Sequence, residues 1–207
     1  MPLQNRVLPS GEIVAIPERG MFVGNRGIIH DPLTRTILRR RWSTNAWITC
    51  VLEFRGRRRK VWQRQSWTEL FFLDEATSLA AGHRPCFYCR REDAKRFRAA
   101  WEKGNRKRDV LAPDMDAALH RERLASARKL HPLPMPIAKL PDGAMVQAGE
   151  ESFLVVGGRP LLWTPAGYRK VERAIRDAKL LTPPSTVRAI SAGYRVVLHE
   201  SVGAPID

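Results

Sequence analysis

Cys86 and Cys89 stand at the C-x-x-C spacing that lets one tight turn present two thiolates to a single metal ion. They are two of only three cysteines, and the third, Cys50, lies 36 residues before Cys86. Three cysteines in 207 residues do not make a disulfide framework, so the chemistry to weigh is metal binding or redox exchange. A thioredoxin-type pair would follow a strand in a βαβ unit, whereas here an alanine-rich helix and Gly82 precede it. That context favours a metal, and thiolates in a reducing compartment select zinc. Cys50 closes a β-rich run and is the natural third ligand; the alternative role is a small buried apolar residue. His83, three residues before Cys86, is one candidate for the fourth ligand, with His30, His120 and His199 the others.

The elements that must position these sulfurs are legible in outline. Residues 46–54 are rich in β-branched and aromatic side chains and read as a strand. Arg57, Arg58, Arg59 and Lys60 form the cationic tip of a hairpin that follows. Residues 67–73 read as a buried strand, and Asp74 caps the next helix through that helix's free backbone N–H groups. Gly82 supplies the left-handed stop. A second helix runs from Arg90 to about Lys103, with Ala94, Phe97 and Trp101 on one face. A third is expected over 116–129. The proline-rich connector at 131–136 cannot lie inside a helix or a central strand. Beyond it the spacing predicts strands at 144–148, 152–156 and 161–163 and a helix over 168–179. A short helix capped by Ser185 and a last strand over 194–199 complete the chain.

The net charge is +15, and its placement matters more than its size. Residues 35–108 hold 20 Lys/Arg against 7 Asp/Glu, while residues 1–34 balance and residues 109–207 carry 13 against 11. The positive field therefore lies on the segment that carries all three cysteines. Such a field attracts a polyanion and speeds encounter with it. Nucleic acid, DNA in the first place, is the expected partner. The expected phosphate contacts are Arg39, Arg40, Arg41, Arg57, Arg58, Arg59, Lys60, Arg84, Arg90 and Arg91, which position without reading sequence. The interleaved tryptophans could stack on bases, but packing in strands is their commoner role. No apolar stretch approaches the ~20 residues of a membrane helix, and residues 1–7 lack the apolar core of a signal peptide. The expected location is the cytoplasm.

Residues 70–90 contain the apolar Phe71-Phe72 pair, an Ala-Ala-Gly helix end, Arg84-Pro85-Cys86 and Cys89, with an upstream Cys50 strand. Over roughly residues 45–100 this resembles the zinc-binding domain of Ada-type DNA methylphosphotriester repair proteins. The resemblance implies zinc held by four cysteines, Cys50 as the acceptor of a methyl group, and Arg84 near the phosphate. The chain departs from the family where a second upstream cysteine belongs, because that position is Phe54, and His83 stands where Phe or Tyr is usual. His83 could replace the lost thiolate. A neutral ligand would lower the negative charge of the site and damp its nucleophile, so the scaffold is expected to bind without the methyl-transfer chemistry. The other enzymatic readings are weaker. A zinc deaminase needs a glutamate two residues after the upstream ligand, and that residue is Leu52. A metal-dependent nuclease would rest on His120 and Glu122, which read equally well as a solvated helix face.

The sequence thus predicts an α+β protein. Residues 1–130 form a strongly basic unit, a small mixed sheet with helices around a zinc knuckle. Residues 137–207 form a smaller α+β part of unassigned role.

Overall fold

Apolar, β-branched sequence builds the centre of a mixed six-stranded sheet. In the computed structural model, which describes residues 1–58, 60–64, 66–126 and 129–203, the first ten strands are β1 (Arg6–Val7), β2 (Ile13–Val14), β3 (Phe22–Asn25), β4 (His30–Asp31), β5 (Thr36–Ile37), β6 (Ile48–Val51), β7 (Glu53–Phe54), β8 (Arg57–Arg58), β9 (Leu70–Phe72) and β10 (Arg84–Pro85). Six of them pair in the order β10-β6-β3-β9-β1-β2. Within this sheet β10–β6 and β1–β9 are parallel and the remaining pairs antiparallel. The strands β4–β5 and β7–β8 form two small hairpins.

Four helices are present among the described residues: α1 (Glu75–Ala80), α2 (Arg91–Asn105), α3 (Ala112–Leu124) and α4 (Pro184–Ser191). Asp74 caps α1 as expected, accepting from the Thr77 N–H at 2.8 Å. Gly82 takes φ +88°, and a Cβ there would lie 2.8 Å from Arg123 Cδ, so only glycine suits this turn. Helix α2 buries Ala94, Phe97 and Trp101, the face its spacing defines. Helix α3 begins four residues before the expected start. Pro113 presets its first turn, and the Asp114 carboxylate accepts from the Leu111 N–H at 2.8 Å.

The later strands are β11 (Met145–Ala148), β12 (Glu151–Val156), β13 (Arg159–Thr164), β14 (Gly167–Lys170) and β15 (Lys179–Leu180). They form an antiparallel sheet in the order β14-β13-β12-β11-β15. Three expectations fail here. The helix over 168–179 does not form, because Tyr168 pairs with Trp163 as the next strand of the meander. The segment 194–199 is not a strand, since its Val197 and His199 N–H groups bond to the Glu75 and Asp74 carboxylates instead of a ladder partner. Ser185 lies inside the first turn of α4, behind Pro183 at the cap position, and its hydroxyl donates to Glu122.

Apolar clusters run across the connector at 131–136. Leu79, Phe97, Trp101 and Met115 pack with Ala189, Ile190 and Tyr194. Leu73, Ala76 and Ala80 pack with Met145, Leu154 and Tyr168. The C-terminal part thereby fixes α1 and α2, the two helices that bracket the cysteine turn.

Candidate metal centre

Strand β6 places Cys50 opposite Val23 of β3, with both residues buried. The parallel edge strand β10 then brings the knuckle alongside. The Arg84 N–H donates to Trp47 O at 3.1 Å, and the Cys86 N–H donates to Thr49 O at 3.0 Å. Pro85 between them has no N–H to lose, which an edge strand tolerates. The following turn is closed by the Arg90 N–H donating to Cys86 O at 3.0 Å, and the Tyr88 N–H points at Cys86 Sγ at 3.4 Å. As a result the sulfurs of Cys50, Cys86 and Cys89 all lie within 4.8 Å of one another. This group can hold a metal ion.

The electrostatics fit a cation. Hydrogen bonds from Cys50 and Cys89 hold the Cys86 thiol down to about 2. The same contacts, with burial, push the Cys50 thiol up. A bound cation would take the place of the thiol protons. The three cysteines open onto a cleft of about 190 Å³ lined also by Ile48, Val51, Leu52, Phe54, Trp67 and Tyr88. Phe54 packs against Tyr88, ring centroids 5.1 Å apart. The described lining includes no carboxylate and no histidine. This cleft offers room for a further ligand beside the sulfurs.

His83 is not part of the sulfur group. It is fully buried, packs edge-on to Phe72 and beside Trp47, and accepts from Arg26 Nε at 3.3 Å through Nε2. The cause is the course of the chain: His83 precedes β10 and turns into the core, whereas Cys86 follows it. The other histidines are also elsewhere among the described residues. His30 stacks on Trp62 and contacts Thr68, His120 meets Trp42 and Arg123, and His199 bonds Ser201. Glu122 accepts from the Ser185 N–H and hydroxyl.

The expected phosphate contacts divide. Arg39, Arg40, Arg41, Lys60 and Arg91 are exposed. The side chains of Arg57 and Arg58 and all of Arg59 lie outside the described residues. Arg84 and Arg90 are buried and already paired. Arg84 makes a bidentate pair with Asp116 at 2.8 and 2.7 Å, and Arg90 bonds Glu75 at 2.6 Å and Asp93 at 2.9 Å. Their partners lie 32 and 15 residues away, so the local basic pattern mistook core cations for surface ones. Replacing Asp116 by alanine should therefore destabilise the fold by about 3–5 kcal/mol, because Arg84 is left buried and unpaired. Urea unfolding measures this, and a loss below about 1 kcal/mol would place Arg84 at the surface after all.

Three buried cations had no sequence signal: Arg26, Arg123 and Lys129. Arg26 and Arg123 stack on Trp47 beside His83, and Lys129 Nζ reaches the Gly11 turn that Arg26 also meets.

No family model, no curated protein and no solved structure matches this chain. No helix among the described residues is long and apolar enough to cross a membrane.

Proposed function

We propose that this protein is a zinc-dependent nucleic-acid-binding module, with the ion on Cys50, Cys86 and Cys89 and the exposed arginines placed to meet DNA phosphates. The observation that carries the reading is the convergence of three sulfurs within 4.8 Å. The basic bias of residues 35–108 supports the polyanion partner. A reducing compartment such as the cytoplasm keeps the thiols available. When bound, zinc supplies a fixed positive charge and a position for one further ligand. The Ada-type resemblance over roughly residues 45–100 supports zinc as the ion. The reading stops at binding, since Phe54 replaces the thiolate that would enrich the negative charge on Cys50.

The test is the salt dependence of duplex-DNA affinity. Each phosphate contact removed should lower the slope of log K against log salt by about 0.9. The triple variant Arg39→Ala, Arg40→Ala, Arg41→Ala is expected to flatten the slope by one to three such steps. Binding that ignores salt, or a slope unchanged in the triple variant, overturns the nucleic-acid reading.

A further inference from the structure

Arg26, Arg123 and Lys129 are 2%, 6% and 7% exposed. Among the described residues, none of the three bonds a carboxylate. Arg26 donates from Nη1 to Gly11 O at 2.9 Å and from Nε to His83 Nε2 at 3.3 Å. Arg123 donates to Gly82 O and Asn45 O, each at 2.8 Å, and its Nη2 lies 3.3 Å from His120 Nδ1. Lys129 Nζ donates to Pro9 O at 3.2 Å and Ala80 O at 2.5 Å. The cations are close. The two guanidinium carbons lie 4.0 and 4.1 Å from the Trp47 ring centroid. A methyl group built on Gly11 would sit 3.4 Å from Lys129 Nζ and 3.7 Å from Arg26 Nη2. Asp116 and Glu122 favour the Arg123 charge from a distance, but their hydrogen bonds go to Arg84 and Ser185, and neither acts on Arg26 or Lys129 as a leading influence.

A buried charge is strongly unfavourable without a counter-charge. Lysine can shed its proton, but arginine does not, so at least two charges persist. Donors are also left over. Among the described residues, Arg26 Nη2, Arg123 Nε and His83 Nδ1 have no hydrogen-bond partner. Since Arg26 donates to His83 Nε2, the imidazole proton sits on Nδ1, which makes that atom an unused donor as well. All three of these residues border one indole.

We infer that Arg26, Arg123 and Lys129, with His83, form the binding site of a single phosphate-type oxyanion beside Trp47. A tetrahedral oxyanion brings more than one negative charge and several acceptors at once, which suits guanidinium forks better than a halide does. Burial together with the mutual repulsion of these groups lowers the Arg26 guanidinium to about 9 and drives Lys129 well down, a strain that an anion relieves. Exposed Arg41 adds its charge to Arg26, and Trp42 meets His120 edge-on at 6.1 Å. The oxyanion is either free phosphate or a terminal phosphate on nucleic acid. The inference does not depend on the metal reading.

The experiment uses the full chain in chloride buffer at fixed ionic strength. Inorganic phosphate at about a hundred times its Kd should raise Tm by about 5–10 °C. Lys129→Met and, as a gentler change, Arg123→Lys should each weaken phosphate affinity by about tenfold or more in calorimetry while zinc content stays unchanged. A 5′-phosphorylated oligonucleotide is compared with its 5′-hydroxyl twin. A preference for the phosphorylated strand that disappears in Lys129→Met assigns the site to a nucleic-acid terminus, and equal binding with phosphate stabilisation intact assigns it to the free anion. Absence of both a saturable phosphate shift and a 5′ preference overturns the inference, as does a shift that survives both substitutions.

Discussion

On the proposed zinc site, replacing Cys86 with serine is expected to reduce bound zinc from about one ion per chain to a trace and to lower Tm by about 10 °C or more. Cys86 lies within 4.8 Å of both other sulfurs, and its contacts with Cys50 and Cys89 hold its thiol low. A serine hydroxyl stays protonated and is a poor ligand for zinc, so two thiolates would remain where three are needed to hold the ion. The strand register multiplies the effect. Cys86 is tied to β6 through Thr49 and closes its own turn through Arg90, so an unligated turn removes a clamp on the sheet edge. Metal analysis after dialysis, with calorimetry in the presence and absence of chelator, measures both effects. His83→Asn is the informative control, since His83 faces Arg26, Trp47 and Phe72 and should leave zinc content unchanged. Full zinc retention in Cys86→Ser, or its loss in His83→Asn, would mean that the ion sits elsewhere.

The contrast between Cys86 and His83 also separates what the sequence discloses from what it hides. Chemistry confined to short range was legible. The C-x-x-C turn, the Asp74 cap, the Gly82 stop and the buried face of α2 each depend on neighbours within a few residues, and each is present. Cys50 could be placed because a β-rich run has few options beside a knuckle. Side-chain direction at long range was not legible. His83, Arg84 and Arg90 sit in the same short stretch as the cysteines, yet strand and turn send them to three different core partners. Their basic spacing looks like a surface patch until Asp116 and Glu75 are brought in by the fold. The same limit explains residues 168–179. Their composition is good for a helix, but propensity amounts to tenths of a kcal/mol per residue, and the β13–β14 pairing with the Tyr168 hydroxyl bonded to Asp74 outweighs it. Residues 194–199 look like a strand for an equivalent reason: their extended backbone is real, but it spends its donors on two carboxylates.

Those two carboxylates carry the second large effect. Glu75→Ala is expected to destabilise the protein by about 3–5 kcal/mol. Glu75 is fully buried at the first position of α1 and accepts from Arg90 Nη2 at 2.6 Å, the Tyr194 hydroxyl at 2.6 Å and the Val197 N–H at 2.9 Å. Asp74 beside it accepts from Thr77, the Tyr168 hydroxyl at 2.9 Å and the His199 N–H at 3.2 Å. One dipeptide thus joins the turn after the knuckle, the C-terminal extended segment and the second sheet. Without Glu75, Arg90 keeps Asp93 and the face of Phe22 among the described residues, and the Tyr194 hydroxyl is stranded in the α2–α4 core. A double-mutant cycle with Tyr194→Phe separates the network from simple cavity formation. Groups in one hydrogen-bond network couple by about 0.5–3 kcal/mol, so Tyr194→Phe should cost clearly less in the Glu75→Ala background than in the wild type. Urea unfolding provides all four corners. Additive effects would reduce Glu75 to an ordinary buried side chain. Strong coupling would show that the knuckle is held from behind by the C-terminal segment, so that residues beyond 190 contribute to the metal centre without touching it.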